Sequence, residues 1–232
     1  MKKSVLILFL FLGGISFSQL NTAKLDQLFD KVESTNNGMG TISIDKDGKN
    51  IYSKSIGYAN LEQGQKADAQ TKYRIGSLSK TFTATVVLKL IENGDLKLKT
   101  KLKKFYPEVP NSNKITIEHL LSHRSGVFNF TNEVGYFSYN HLPISEEKLV
   151  KKIAGFKAQF KPGEKFQYSN SNYVLLTFIA EKASGKKFES LINDFIVGPL
   201  QLQRTSFGGI TDSTDNEAFS YNDFGGWERE KS

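Results

Sequence analysis

The stretch from Ser77 to Gly94 constrains the fold more than any other part of the chain. Leu78, Phe82, Val86 and Leu90 recur every four residues, Val87 and Ile91 lie beside them, and Asn93–Gly94 stops the pattern. Side chains four apart share one face of a helix. The run therefore reads as a helix whose apolar face is broad, and a face that broad has to be covered from several sides. The chain needs other amphipathic elements to bury it.

Those elements are readable. Ala23–Val32 places Leu25, Leu28, Phe29 and Val32 on one face and predicts an opening helix. After Gly38, Ile42 and Ile44 alternate with polar residues, and Ile51, Ser53 and Ser55 alternate again. Between the two runs stands Asp47–Gly48, a pair that accepts positive φ, so the segment reads as a β-hairpin. Further helices are predicted from Thr116 to near Gly126, over Glu146–Phe156, over Tyr173–Ala183 with Gly185 as its stop, and over Glu189–Ile196. Strands come first and helices dominate afterwards.

The first 18 residues read differently: two lysines, an unbroken apolar run, then Ser16 and Ser18. This is the layout of a secretory signal peptide cleaved after Ser18. The apolar run is shorter than the roughly 18 residues a membrane-spanning helix needs. Residues 19–232 are then the exported domain, with no stable membrane anchor after cleavage. The chain has no cysteine, which excludes disulfides, thiol chemistry and lipid attachment through Cys. Its net charge of +7 includes Lys2 and Lys3 of the leader, and the other basic residues are scattered rather than clustered. No nucleic-acid motif is present, so nucleic acid is not an expected partner.

The central helix opens with "RIGSLSK", in which Ser77 and Lys80 stand three apart. On a helix that spacing brings a lysine amine to a serine hydroxyl, and the helix N-terminus favours a developing oxyanion. The spacing alone decides nothing, because it recurs at Ser43–Lys46, Ser145–Lys148 and Ser184–Lys187. Ser43 lies in the hairpin, where residues three apart point to opposite faces. Ser145 reads as the N-cap of the Glu146 helix, and Ser184 sits beside a helix stop. Ser77 remains a candidate nucleophile, with an N-cap role as the alternative. The second candidate is Tyr168–Asn170, "YSN", in a Gly/Pro/Asn-rich loop leading into a helix. A tyrosine beside a lysine cation can act as a general base, and an amide can orient a carbonyl. A capped loop with a half-buried tyrosine is the alternative there. Y-x-N also occurs at Tyr58–Asn60. His119 and His123 are four apart, but without a third matching ligand they make a poor zinc motif, and no G-x-S-x-G elbow accompanies His123.

Taken in order, "YRIGSLSKTFTA", "LLSHRSGV", "KPGEKFQYSNSNYVLL" and "PLQLQRTSF" resemble the serine β-lactamase and penicillin-binding protein superfamily. The branch they resemble is the class C β-lactamase, D-alanyl-D-alanine carboxypeptidase and esterase-like group, over about Gly38–Phe207. The resemblance implies an α/β (α+β) fold: an antiparallel sheet flanked by helices, plus a mostly helical subdomain. It implies Ser77 as the acylated nucleophile, Lys80 as its proton partner, Tyr168 as base and leaving-group acid, and Asn170 as the substrate-orienting amide. His123 takes a supporting role. No cofactor and no metal are implied. The partner is a small substrate: a D-Ala-D-Ala peptide, a β-lactam or an ester.

One element of the family pattern is missing. No K-T-G or H-x-G triplet follows Asn170, and the last histidine, His141, lies upstream of it. In the family that strand carries the second backbone N–H of the oxyanion hole. The expectation is therefore a C-terminally truncated domain with an incomplete sheet. Two functions remain open: an exported serine hydrolase forming an acyl-enzyme at Ser77, or a non-catalytic incomplete domain or fragment. The latter would at most bind peptidoglycan peptides or a complementary chain.

Overall fold

The structure, a computed structural model, describes residues 20–230. The predicted leader and its cleavage point lie outside them. Two units divide the chain at Gln70/Thr71.

In the first unit, α1 (Thr22–Ser34) is capped by Asn21, whose side chain accepts from the Lys24 N–H. Strands β1 (Gly40–Lys46) and β2 (Lys49–Ile56) pair antiparallel around the predicted turn. Asp47 and Gly48 both have positive φ, +51° and +72°, as a two-residue hairpin turn demands. A bulge falls between Ile44 and Asp45. Helix α1 lies against β2, where Phe29 stacks on Tyr52 and Lys54 pairs with Asp30 at 2.5 Å. A short antiparallel pair, β3 (Tyr58–Asn60) and β4 (Gln65–Lys66), completes the unit. The second Y-x-N triplet is thus strand β3.

The second unit is built around two helices. Helix α2 (Ser79–Glu92) buries Val86, Val87 and Leu90, and α5 (Asn170–Ser184) buries Leu175, Leu176 and Ile179. The two pack on each other. Around them sit α3 (Ile117–Leu121), α4 (Glu146–Gly155) and α6 (Phe188–Ile192), the last running into a wider π-type turn at Asn193–Val197. The caps are legible. Ser145 accepts from the Lys148 N–H, and Gly185 ends α5 in the left-handed conformation. At α3 the Thr116 hydroxyl and His119 Nδ1 each accept a backbone N–H of the other residue, a capping box with histidine in the usual Glu/Gln place. A hairpin not foreseen in the sequence, β5 (Tyr221–Asp223) with β6 (Trp227–Arg229), ends the described chain.

The architecture is thus mixed, with helices and short antiparallel sheets. The expected flanked sheet takes the form of three separate two-stranded pieces among the described residues. No described helix is long and apolar enough to cross a membrane.

Gly126 is the tightest point of the second unit. Its φ is +77°, its carbonyl accepts from the Gln159 N–H at 2.9 Å, and a Cβ built on it would stand 2.1 Å from the Phe160 carbonyl oxygen. Gly126→Ala must therefore strain the backbone and push the 159–160 segment away. We expect a loss of about 2–4 kcal/mol, read as a lower urea midpoint.

Candidate active site

The second unit brings Ser77, Lys80, Tyr168 and Asn170 together. Ser77 sits in a 3₁₀ turn, Gly76–Leu78, immediately before α2, and Lys80 is in the first turn of that helix. The chain leading to Ser77 is pinned from downstream. The backbone of Lys72 exchanges hydrogen bonds with Asn216 and Ala218, and the Arg74 guanidinium donates to the Gly209 carbonyl at 2.5 Å. Lys80 Nζ donates to Ser77 Oγ at 3.2 Å, and Ser77 Oγ lies 3.0 Å from the Tyr168 hydroxyl. The Tyr168 hydroxyl donates in turn to Asn170 Oδ1 at 3.4 Å. Read in that direction, the line runs Lys80 to Ser77 to Tyr168 to Asn170. The Ser77 hydroxyl points across to Tyr168 rather than onto the helix, so Ser77 is not the N-cap of α2.

The other three Ser/Lys spacings come to nothing. Ser43 Oγ donates to Asp45, Ser145 caps α4, and Ser184 Oγ returns to the Ala180 carbonyl. In each the hydroxyl serves its own backbone or a neighbour in the strand.

Electrostatics make the Tyr168 phenol more acidic than an ordinary tyrosine. Burial pushes its phenol up, but the hydrogen bonds from Lys80 and Ser77 and the Lys80 charge outweigh it, and the net shift is below the ordinary tyrosine value. Lys80 makes no ion pair among the described residues. Its Nζ lies 5.0 Å from the Tyr168 ring centre and 5.9 Å from that of Tyr173, within cation–π range. Tyr173 stays in its neutral form: burial, then the neighbouring Tyr168, raises its phenol, and its hydroxyl donates to the Leu121 carbonyl.

Asn170 is held from three sides. Its N–H donates to Asn129 Oδ1 at 2.9 Å, its Nδ2 donates to Thr131 Oγ1 at 3.0 Å, and Thr131 Oγ1 donates to Asn129 Oδ1 at 3.1 Å. Behind it, Ser171 Oγ donates to the Phe128 carbonyl and accepts the Phe130 N–H. Asn172, fully buried, accepts the Ser125 hydroxyl at 2.6 Å and turns its amide nitrogen to His123 Nδ1 at 3.2 Å. Asn129, Thr131, Ser125 and Asn172 were not singled out in the sequence. A signal existed: polar residues at 170–172 stand where a buried first turn of the helix would begin. Among the described residues no group of three or more His, Cys, Asp or Glu side chains is placed to hold a metal ion. His119 Nδ1 is taken up by its capping box, and His123 Nδ1 by Ser169 and Asn172.

A serine, a lysine three residues on and a tyrosine brought in from the segment leading into a second helix, on this fold, define the serine β-lactamase and penicillin-binding class of hydrolases. The family model described as "Beta-lactamase" matches residues 31–231, and the chain belongs to that family. It is similar to Protein flp of Staphylococcus aureus strain MW2, 32% identical over 187 residues, which are 78% of this chain and 37% of that protein. Penicillin-binding protein 4* of Bacillus subtilis strain 168 is also 32% identical, over 78% of this chain and 40% of its own length. Among solved structures, the octameric penicillin-binding protein homologue from Pyrococcus abyssi superposes with a TM-score of 0.78 at 32% identity, covering 91% of this chain and 50% of that one. The chain thus spans half or less of these relatives.

Asn172→Ala removes the acceptor of the buried Ser125 hydroxyl and one partner of His123. We expect a loss of about 1–3 kcal/mol in chemical unfolding.

Proposed function

We propose that the protein is an exported serine hydrolase that forms an acyl-enzyme at Ser77 on an amide or ester carbonyl. The observation that carries the reading is the 3.0 Å approach of the Ser77 and Tyr168 hydroxyls beside the Lys80 ammonium. That distance is within the reach a general base needs, and the lowered Tyr168 phenol gives up its proton more readily than an ordinary tyrosine. Tyr168 takes the Ser77 proton as Oγ attacks the carbonyl carbon. The tetrahedral oxyanion then collapses, and Tyr168 returns the proton to the departing amine or alkoxide. A water activated by Tyr168 releases the acyl group. Asn170 orients the substrate carbonyl, with one amide hydrogen already committed to Thr131.

The substrates proposed are D-Ala-D-Ala peptides, β-lactams and small esters. The name of the Bacillus relative, a penicillin-binding protein, supports the β-lactams. Export to the periplasm or medium rests on the leader pattern of residues 1–18. A second reading is a non-catalytic domain that at most binds peptidoglycan peptides or a complementary chain. The chain spans only 37–50% of its relatives, and no K-T-G or H-x-G triplet follows Asn170. One oxyanion donor is worth about 10² to 10³ in rate.

Incubation with a fluorescent penicillin or a fluorophosphonate separates the readings. Labelling of the wild type and not of Ser77→Ala is expected; equal labelling sinks the role of Ser77, and none at all favours the binding domain. The pH dependence follows from the base. Labelling rises with pH as Tyr168 ionises, and in Lys80→Ala the midpoint of that rise moves up, because the cation that favours the phenolate is gone. An unchanged midpoint would remove Lys80 from the pair.

A further inference from the structure

His123 lies outside the line of hydroxyls, yet the segment carrying Tyr168 is fastened to it on both sides. The Gln167 N–H donates to the His123 carbonyl at 2.9 Å, and the Ser169 N–H donates to His123 Nδ1 at 3.2 Å. The imidazole lies against the Tyr168 ring, with centres 4.6 Å apart and planes 33° apart, and the Tyr173 ring is 5.0 Å away. His123 is 8% exposed and holds φ at +54°, an uncommon conformation for a residue with a side chain. That conformation closes α3, because the His123 N–H donates to the Leu120 carbonyl at 3.2 Å and the Arg124 N–H to the His119 carbonyl at 2.8 Å, the pair of bonds of a left-handed helix cap. It turns the ring and the carbonyl of one residue towards the same short segment.

To accept the Ser169 N–H, Nδ1 must carry no proton. The hydrogen-bond pattern therefore assigns a neutral ring with its proton on Nε2. Asn172 agrees: its Oδ1 is occupied by Ser125, which leaves its amide nitrogen to face Nδ1. Burial, and then the Lys80 charge, keep the imidazole in that neutral form by lowering its affinity for a proton.

We propose that His123 is a positioning residue, whose bare Nδ1 anchors the Ser169 N–H and so holds the Tyr168 phenol against Ser77 and Lys80. It touches no reacting atom. The proposal rests on the roles given to Ser77 and Tyr168 above, and its test is independent of turnover. The titratable groups facing the phenol are Lys80, His123 and Tyr173.

The experiment is NMR titration of the full chain carrying isotope-labelled tyrosine Cζ, with the Tyr168 signal assigned by its loss in Tyr168→Phe. Wild-type Tyr168 is expected to ionise below the exposed tyrosines of the same spectrum. His123→Phe keeps a ring and removes the acceptor; Tyr168 should then ionise at the value of the exposed tyrosines. His123→Asn offers an oxygen near the Nδ1 position and tolerates positive φ, and should keep the depressed midpoint. If His123→Phe does not fold, His123→Asn decides alone. The proposal is overturned by a wild-type Tyr168 that ionises like the exposed tyrosines, by a His123→Phe midpoint equal to that of the wild type, or by a His123→Asn midpoint raised to the exposed value. Absence of Ser77 labelling would end the hydrolase reading and leave these midpoints as informative as before.

Discussion

The packing of α2 against α5 is the contact on which the site depends. Each helix contributes its first turn to the site and its later turns to the core. Val86, Val87 and Leu90 on one side and Leu175, Leu176 and Ile179 on the other are fully or almost fully buried. Each such side chain stabilises the unit by roughly 1.5–3 kcal/mol on burial, and interiors this close-packed resist sliding. The N-terminal ends are thereby held in register, and two hydroxyls from residues 91 positions apart in the chain come within hydrogen-bond distance. The geometry of the site is a by-product of the core.

The polar residues at the head of α5 do a second job. A helix starts with N–H groups that lack partners, and here they are met by side chains from a distant loop. Asn129 takes the N–H of Asn170, and His123 takes that of Ser169 just before it. Asn170 and Tyr168 are fixed because the helix start is fixed. Burial of Ser171 and Asn172, costly for polar groups left alone, is offset by their bonds to the 125–130 segment.

This also explains what could be read from the sequence. The central helix, the Asp47–Gly48 hairpin, the Ser145 cap and the Gly185 stop are local in origin, and all were legible. So was the meeting of Ser77 and Lys80, alone among four such spacings, from the apolar run behind them. The start of α5 was not: periodicity placed it at Tyr173, whereas the helix begins at Asn170. Those three residues are polar, and what makes them helical is capping by Asn129 and His123 from some 40 residues upstream. No local pattern encodes a partner that far away. The β5–β6 hairpin escaped notice for a simpler reason. Strands of three residues are too short to show alternation.

One feature of the Lys80 environment bears on how the site would treat charge. The ammonium is held by aromatic faces and hydroxyls, with no carboxylate beside it among the described residues. An acid in that position would neutralise the lysine and repel any anion forming nearby. Aromatic faces hold the cation without cancelling it. In the proposed acylation the phenolate loses its charge on taking the serine proton, just as negative charge appears on the substrate oxygen. The charge of the site then changes location and not amount, with the same unspent cation facing it before and after.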